Sequence, residues 1–414
     1  MDPRPRLAIG LGVVWLAASG LVPAGGEIHG TVETVAGALH TGTIAWPDGS
    51  RFWDETFDCG RPVAGITPAA EERGGFRFSL FGVRLFHDDD SGGGGGGFNI
   101  FTVPFGEIRS IEPLGHAEAA IELRNGETIL GRAIGRDLGL RVRRVVVEGP
   151  SGPVEVPWHE VRRVRFAAGP ARRRPSERLW GTATTRAGKF TGFVRWDRDE
   201  SVLGDELDGQ AEGRDWSVPF RDIAAIAPDG SKAARVTLRS GREIVLTGTN
   251  DVNEDFRGLK IRTPGDGAVT IGWAALVRLD LAPAPESPGY DRYDGGRALR
   301  GTARTVDGTA RSGRIAWDRG ESYTFETLDG EADGIDRAIP FGSIASIRPV
   351  PGGRSEVRLR DGRVLTLGGS NDVDERNRGI WVEAADASTL VSFDALVSLE
   401  VDGPPAPPPA APRP

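Results

Sequence analysis

Apolar and polar positions alternate along most of this chain. Near its start Ile28, Gly30, Val32 and Thr34 interleave with His29, Thr31 and Glu33, the period of a half-buried strand. Asp307-Gly308 lies between two such runs and predicts a tight hairpin turn. Leu123-Arg124-Asn125-Gly126, Leu238-Arg239-Ser240-Gly241 and Leu359-Arg360-Asp361-Gly362 carry the same signal farther on. No long helical periodicity competes with these strands.

A nine-residue phrase returns six times: an aliphatic residue, a spacer, Phe or Trp, then two more aliphatics, each three residues on. It begins at Val103, Val156, Val218, Ile271, Ile339 and Val391. Successive starts lie 53, 62, 53, 68 and 52 residues apart, so the phrases fall into three pairs. The first aliphatic and the aromatic share a strand face, being two apart. The last two aliphatics are three apart, which a flat strand cannot place on one face. A strand, a single 3₁₀-like turn and another short strand are expected instead.

The pairs sit inside three longer repeats. These open at Ile28-His29-Gly30-Thr31, Leu179-Trp180-Gly181-Thr182 and Leu299-Arg300-Gly301-Thr302. Each continues through Gly42-Ile44-Trp46, Gly192-Val194-Trp196 or Gly313-Ile315-Trp317, and an aspartate follows twelve residues after the Trp, at Asp58, Asp208 and Asp329. The expected organisation is repeat 1 over 25–169, with an insertion near 59–98, repeat 2 over 179–282 and repeat 3 over 298–403. Linkers at 170–178 and 283–297 are marked by proline, by Arg172 to Arg174 and by Gly295-Gly296. A Pro/Ala tail over 404–414 reads as unfolded.

Four hairpin-linked strands, one turn and a closing fifth strand in about 50 residues resembles an SH3-like or Sm-like small barrel. The resemblance is one of pattern over residues 28 to 401 and brings no named family with it. It implies an all-β protein of six such barrels, arranged as three tandem pairs. A unit that small buries little surface alone, so each pair is expected to pack as one domain. Trp46, Trp196, Trp317, Phe105, Trp158, Phe220, Trp273, Phe341 and Phe393 are the expected core anchors. The alternative for the tryptophans is a ligand platform, since indoles stack on sugars and bases.

The ends and the composition place the chain. Arg4 and Arg6 lead into an apolar run from Leu7 to Val22, with Val22-Pro23-Ala24 as a cleavage site. Residues 1–24 therefore read as a secretory signal, with a retained anchor as the alternative. The periplasm of a bacterium, or the space beyond, is the expected location. A single cysteine, Cys59, rules out an intramolecular disulfide framework. The formal net charge of −8 gives no support to a nucleic-acid partner.

Candidate chemistry is sparse. All five histidines and Cys59 fall in the first repeat, whose insertion ends in His87-Asp88-Asp89-Asp90 and a glycine run, Gly92 to Gly97. A metal at His87, Asp88, Asp89 and Asp90 is one candidate, although no two histidines stand at the close spacing of a zinc motif. Cys59 with a histidine would be a nucleophile, but it aligns with Gly209 and Gly330 in what reads as a turn. The run Asn250-Asp251-Val252-Asn253-Glu254-Asp255 is echoed as Asn371-Asp372-Val373-Asp374-Glu375-Arg376. Its readings are a turn capped by its own side chains, a partner-contact loop, or a calcium site. Phe256 stands where an EF-hand loop needs glycine, and Arg376 replaces a ligand. The first repeat has Ile134 to Gly139 in that place. Threefold acid pairs, Glu55 and Asp58, Asp205 and Asp208, Glu326 and Asp329, read as structural or surface residues. No cofactor is implied. The expectation is a non-enzymatic binding or scaffold module for an envelope protein or polysaccharide, with a hydrolase or metal-dependent enzyme in the first repeat as the alternative.

Overall fold

A computed structural model describes residues 26–47, 49–63, 78–80, 83–85, 98–133, 137–139, 142–170, 177–263, 267–385 and 387–403. Residues 1–24, His87 to Asp90, the glycine run and the Pro/Ala tail lie outside them. The described chain is all-β: one ten-stranded sheet, one twenty-stranded sheet and a small two-stranded hairpin, every pairing antiparallel.

The alternation read from the sequence is the burial pattern of the strands. His29–Thr34 buries Gly30, Val32 and Thr34 and turns its other residues outward. The nine-residue phrase has a more specific geometry than its spacing predicts. A 3₁₀ turn does follow the first strand, at Phe105–Glu107, Trp158–Glu160, Phe220–Asp222, Phe341–Ser343 and Phe393–Ala395. It lies between the aromatic and the next aliphatic, however, not between the last two aliphatics. Those two share a face because the following strand carries a bulge. The pairing of Ile108 with Leu123 and of Ser110 with Glu122 leaves Arg109 as the extra residue. Arg162, Ala224, Val277, Ala345 and Val397 are the extra residues of the other five phrases. One added residue restores the face, so Ile108 and Ile111 are both fully buried.

Each half-repeat supplies five strands. In the first repeat they are His29–Thr34, Leu39–Ala45, Thr56–Pro62, Phe98–Pro104 and Ile108–Pro113, then Glu118–Leu123, Thr128–Arg132, Arg144–Gly149, Gly152–Pro157 and Val161–Phe166. Neither half makes its own sheet. Across the sheet run the fourth and third strands of the second half, the second and first of the first half, and the fifth of the second. Beyond them come the fifth of the first half, the first and second of the second, and the third and fourth of the first. Each five-strand set therefore takes strands one and two from one half and three to five from the other. The pairings within residues 180–282 and within 300–401 repeat this order. One exchange junction is well paired, through Ile44 with Val147, Val194 with Ile261 and Ile315 with Val382.

The repeated glycines allow that junction. Gly30 faces Gly42, Gly181 faces Gly192 and Gly301 faces Gly313. A Cβ at Gly42, Gly192 or Gly313 would overlap the carbonyl of Glu148, Arg262 or Glu383 on the exchanged strand.

Three buried clusters follow the three repeats. The aromatic anchors lie in them: Trp46, Trp196, Trp317, Phe105, Phe220 and Phe341 are at most 2% exposed, and Trp158, Trp273 and Phe393 are 7% exposed. The second and third repeats join edge to edge, Gly267–Ile271 pairing with Ile335–Pro340. The first repeat packs against both. The proline-marked stretch 283–297 is built into that contact: Tyr290 is buried in the first repeat's cluster and donates its hydroxyl to the Ile108 carbonyl at 2.9 Å.

Candidate functional site

The Asn-Asp segments follow the second strand of the second half-repeat, and Asp251 and Asp372 in them are buried. Asp251 Oδ2 accepts the Asp208 amide at 2.9 Å, and Asp372 Oδ2 accepts that of Asp329 at 2.7 Å. Their carbonyls accept the indole N–H of Trp196 and of Trp317, at 3.1 and 3.0 Å. Asn250 and Asn371 donate to Asp197 and Asp318, buried aspartates held at positive φ just after each tryptophan. The same aspartates take Arg257 and Arg378 through both backbone and side chain. Asn253 and Asp374 accept the amides of Asp255 and Arg376, as in Asx turns. Of the sequence-predicted contact residues, Glu254 and Glu375 are the exposed acids at the tips. Among the described residues no group of three or more His, Cys, Asp or Glu side chains is placed to hold a metal ion.

The first repeat keeps the decisive bond despite its different sequence. Asp137 Oδ2 accepts the Asp58 amide at 2.8 Å, the place of Asp251 and Asp372. Asp137 thus makes the same contact in the first repeat without the Asn-Asp sequence. The acid pairs are divided likewise: Glu55, Asp205 and Glu326 each accept two backbone amides in the turn before the third strand.

Cys59 differs from its sequence reading. It lies in the strand Thr56–Pro62, as Gly209 and Gly330 lie in strands, and is fully buried against Gly131 and Ile121. Burial pushes its thiol up to about 12, which removes the thiolate a nucleophile needs. His159 is exposed beside Glu160.

The place where the three repeats meet was not singled out by sequence. Asp58 from the first repeat, Lys260 from the strand Leu259–Thr263 of the second and Asp329 from the third converge there. On one side of Lys260 is a cavity of about 380 Å³, lined by Thr270, Asp329, Glu331, Asp336 and Ser370. On the other is a space of about 40 Å³, lined by Ser50, Glu55, Arg195 and Arg262. Burial, with Arg262 and Arg195 nearby, pulls the Lys260 ammonium down to about 8, against the opposing pull of Asp58 and Asp329. Burial raises Asp329. Around this centre Asp54 pairs with Arg178 at 2.7 Å and Arg262 at 3.7 Å, and Glu55 with Arg195 at 3.7 Å. The arrangement is an ionic seam with room for water or a small polar molecule. Its sequence signal was weak: Lys260 is one of three lysines, at a strand position held by Val146 and Trp381 in the other repeats.

What fold and site define is an all-β protein of strand-exchanged sheets with a charged seam where its parts meet. Among the described residues no helix is long and apolar enough to cross a membrane. Comparison with family models, with curated proteins and with solved structures returned no match.

Proposed function

We propose that the chain is a non-enzymatic binding or scaffold protein of the bacterial envelope, delivered by its signal segment, with a protein or polysaccharide partner. In this reading each five-strand set is a small SH3-like or Sm-like barrel completed across two halves, its 3₁₀ turn standing before the closing strand. The observation that carries the reading is where the repeated polar residues point. Asp251, Asp372 and Asp137 are committed to backbone amides of the fold, and Cys59 is sealed. That leaves the exposed turns and sheet edges as the surface available to a partner, and repeated modules commonly serve as binding surfaces.

The test is in-cell photo-crosslinking from Glu254 and Glu375, which tip the Asn-Asp turns. Recovery of a defined envelope protein, or of wall polysaccharide, at either position supports the reading and names the partner class. Capture no greater than from a probe at a buried control position would overturn it.

A further inference from the structure

The contact between the second and third repeats is a strand-to-strand junction whose two sides recur, unused, at the ends of the twenty-stranded sheet. In the junction Ala268 pairs with Ala338, Val269 with Arg337 and Thr270 with Asp336. Ser388, Thr389 and Leu390 occupy the positions of Ala268, Val269 and Thr270 in the third repeat, by the register of each with its preceding strand. Ser217, Trp216 and Asp215 occupy those of Ala338, Arg337 and Asp336 in the second. Among the described residues Arg214–Pro219 is in register only with Glu206–Ala211, and Ser388–Val391 only with Ile380–Glu383, so the outer side of each is free of a strand. Leu390, on that short edge, is 44% exposed.

The backbone of the Arg214–Pro219 edge is set for pairing. The turn Glu212–Gly213 has positive φ at both residues, joining Ala211 and Arg214 as a bonded pair. Alternation along the strand then points the amides and carbonyls of Asp215 and Ser217 outward. These are the positions at which Asp336 and Ala338 meet the neighbouring repeat.

The side chains across the junction also match, with roles reversed. Within the chain Arg337 lies over the Phe190 ring, 5.4 Å from its centroid. At the free ends the counterpart of Arg337 is Trp216, and that of Phe190 is Arg311, two positions before Gly313 as Phe190 is before Gly192. Arg311 of a second copy would then join Arg242, which already lies 5.2 Å from the Trp216 ring centroid, at the same ring. The corresponding edge of the first repeat, Gly152–Pro157, is blunted instead. Pro153 stands at the position of Ala268 and removes an outward donor, a usual way to stop an edge from pairing.

We propose that the Ser388–Val391 edge of one copy pairs with the Arg214–Pro219 edge of a second copy, continuing the internal junction between molecules. The contact is head-to-tail, so it builds chains or rings and not only dimers. It is independent of the envelope partner proposed above: either can fail without the other.

Sedimentation velocity on the full chain, over a wide range of concentration, reads the assembly. The expected result is species larger than a monomer that grow with concentration. Ser217→Pro and Ser388→Pro each copy Pro153 onto one edge, and each alone should lose assembly beyond the monomer. Mixed, the two variants should form a heterodimer and nothing larger, because one free edge of each remains. Arg311→Ala, at an exposed side chain, should weaken association without touching the fold, and Arg311→Phe with Trp216→Arg should restore it. A chain that stays monomeric throughout, or assembly that Arg311→Ala and both proline variants leave unchanged, would refute the junction.

Discussion

Glu200 and Glu321 stand four residues after Trp196 and Trp317, beside the inward-turned Asp251 and Asp372, where the first repeat has Ser50. Burial, with Asp251, Asp199 and Asp197 adding to it, raises Glu200 to about 8. Burial likewise raises Asp372 to about 7 and Glu107 to about 7, and lifts Glu321 well above the usual carboxylate range. A carboxyl whose folded pKa exceeds its unfolded value keeps a proton that the unfolded chain has released. Its stabilisation is complete below the unfolded value and is lost as pH rises toward the folded one. Denaturant unfolding should therefore show stability falling between pH 4.5 and 8. Glu200→Gln should flatten part of that fall and gain about 1–2 kcal/mol over the parent at pH 8, less than full linkage because the group is partly solvated. A flat parent profile would mean these acids are ionised in the fold. The sequence showed which aromatics to expect in the core, because Trp and Phe recur at fixed strand spacing. It hid Asp137, since the first repeat places that carboxylate in a loop with no Asn-Asp signature.

Strand identity was legible because period two and turn residues are local. The bulge was half legible: the three-residue spacing demanded a break in the pleat, and the extra residue in the closing strand supplies it. The exchange of strands between halves was not legible, because periodicity tells which face is buried and says nothing about which neighbour covers it. A covalent pair of halves and an exchanged pair have the same pattern. They differ in what a half can do alone. Residues 298–350 hold strands one and two of one five-strand set and three to five of the other. Either half expressed singly should lack dispersed amide resonances, since each set is incomplete and its faces stay wet. Mixing 298–350 with 351–403 should restore a folded spectrum in one-to-one ratio. A folded single half would mean that the exchange is not needed for stability.

Three repeats in sequence do not require three independent bodies, and the interfaces here argue for coupling. Arg61, 8% exposed, reaches from the first repeat to Glu326 of the third at 2.8 Å and lies 4.4 Å from the Phe101 ring centroid. Glu326 also holds the amides of Ser322 and Tyr323, so its carboxylate organises a turn of the third repeat. Removing one partner of a buried pair leaves the other charge stranded, at about 3–5 kcal/mol. Charge was visible in the sequence at both residues, but their separation of 265 positions carries no local signal. Cys59, two residues before Arg61 and fully buried, reports whether the first repeat opens by itself. In the parent protein a disulfide reagent should label it no faster than global unfolding. Arg61→Ala should open the first repeat ahead of the others and speed labelling by about a hundredfold, the factor that ~3 kcal/mol implies. Arg61→Met keeps the stem over Phe101 but strands Glu326 equally, so it should label nearly as fast if charge is the tie. If it instead labels like the parent, packing on Phe101 joins the repeats and the ion pair only sets their register. Equal labelling in all three proteins would place the coupling elsewhere, at Tyr290 and the seam around Lys260.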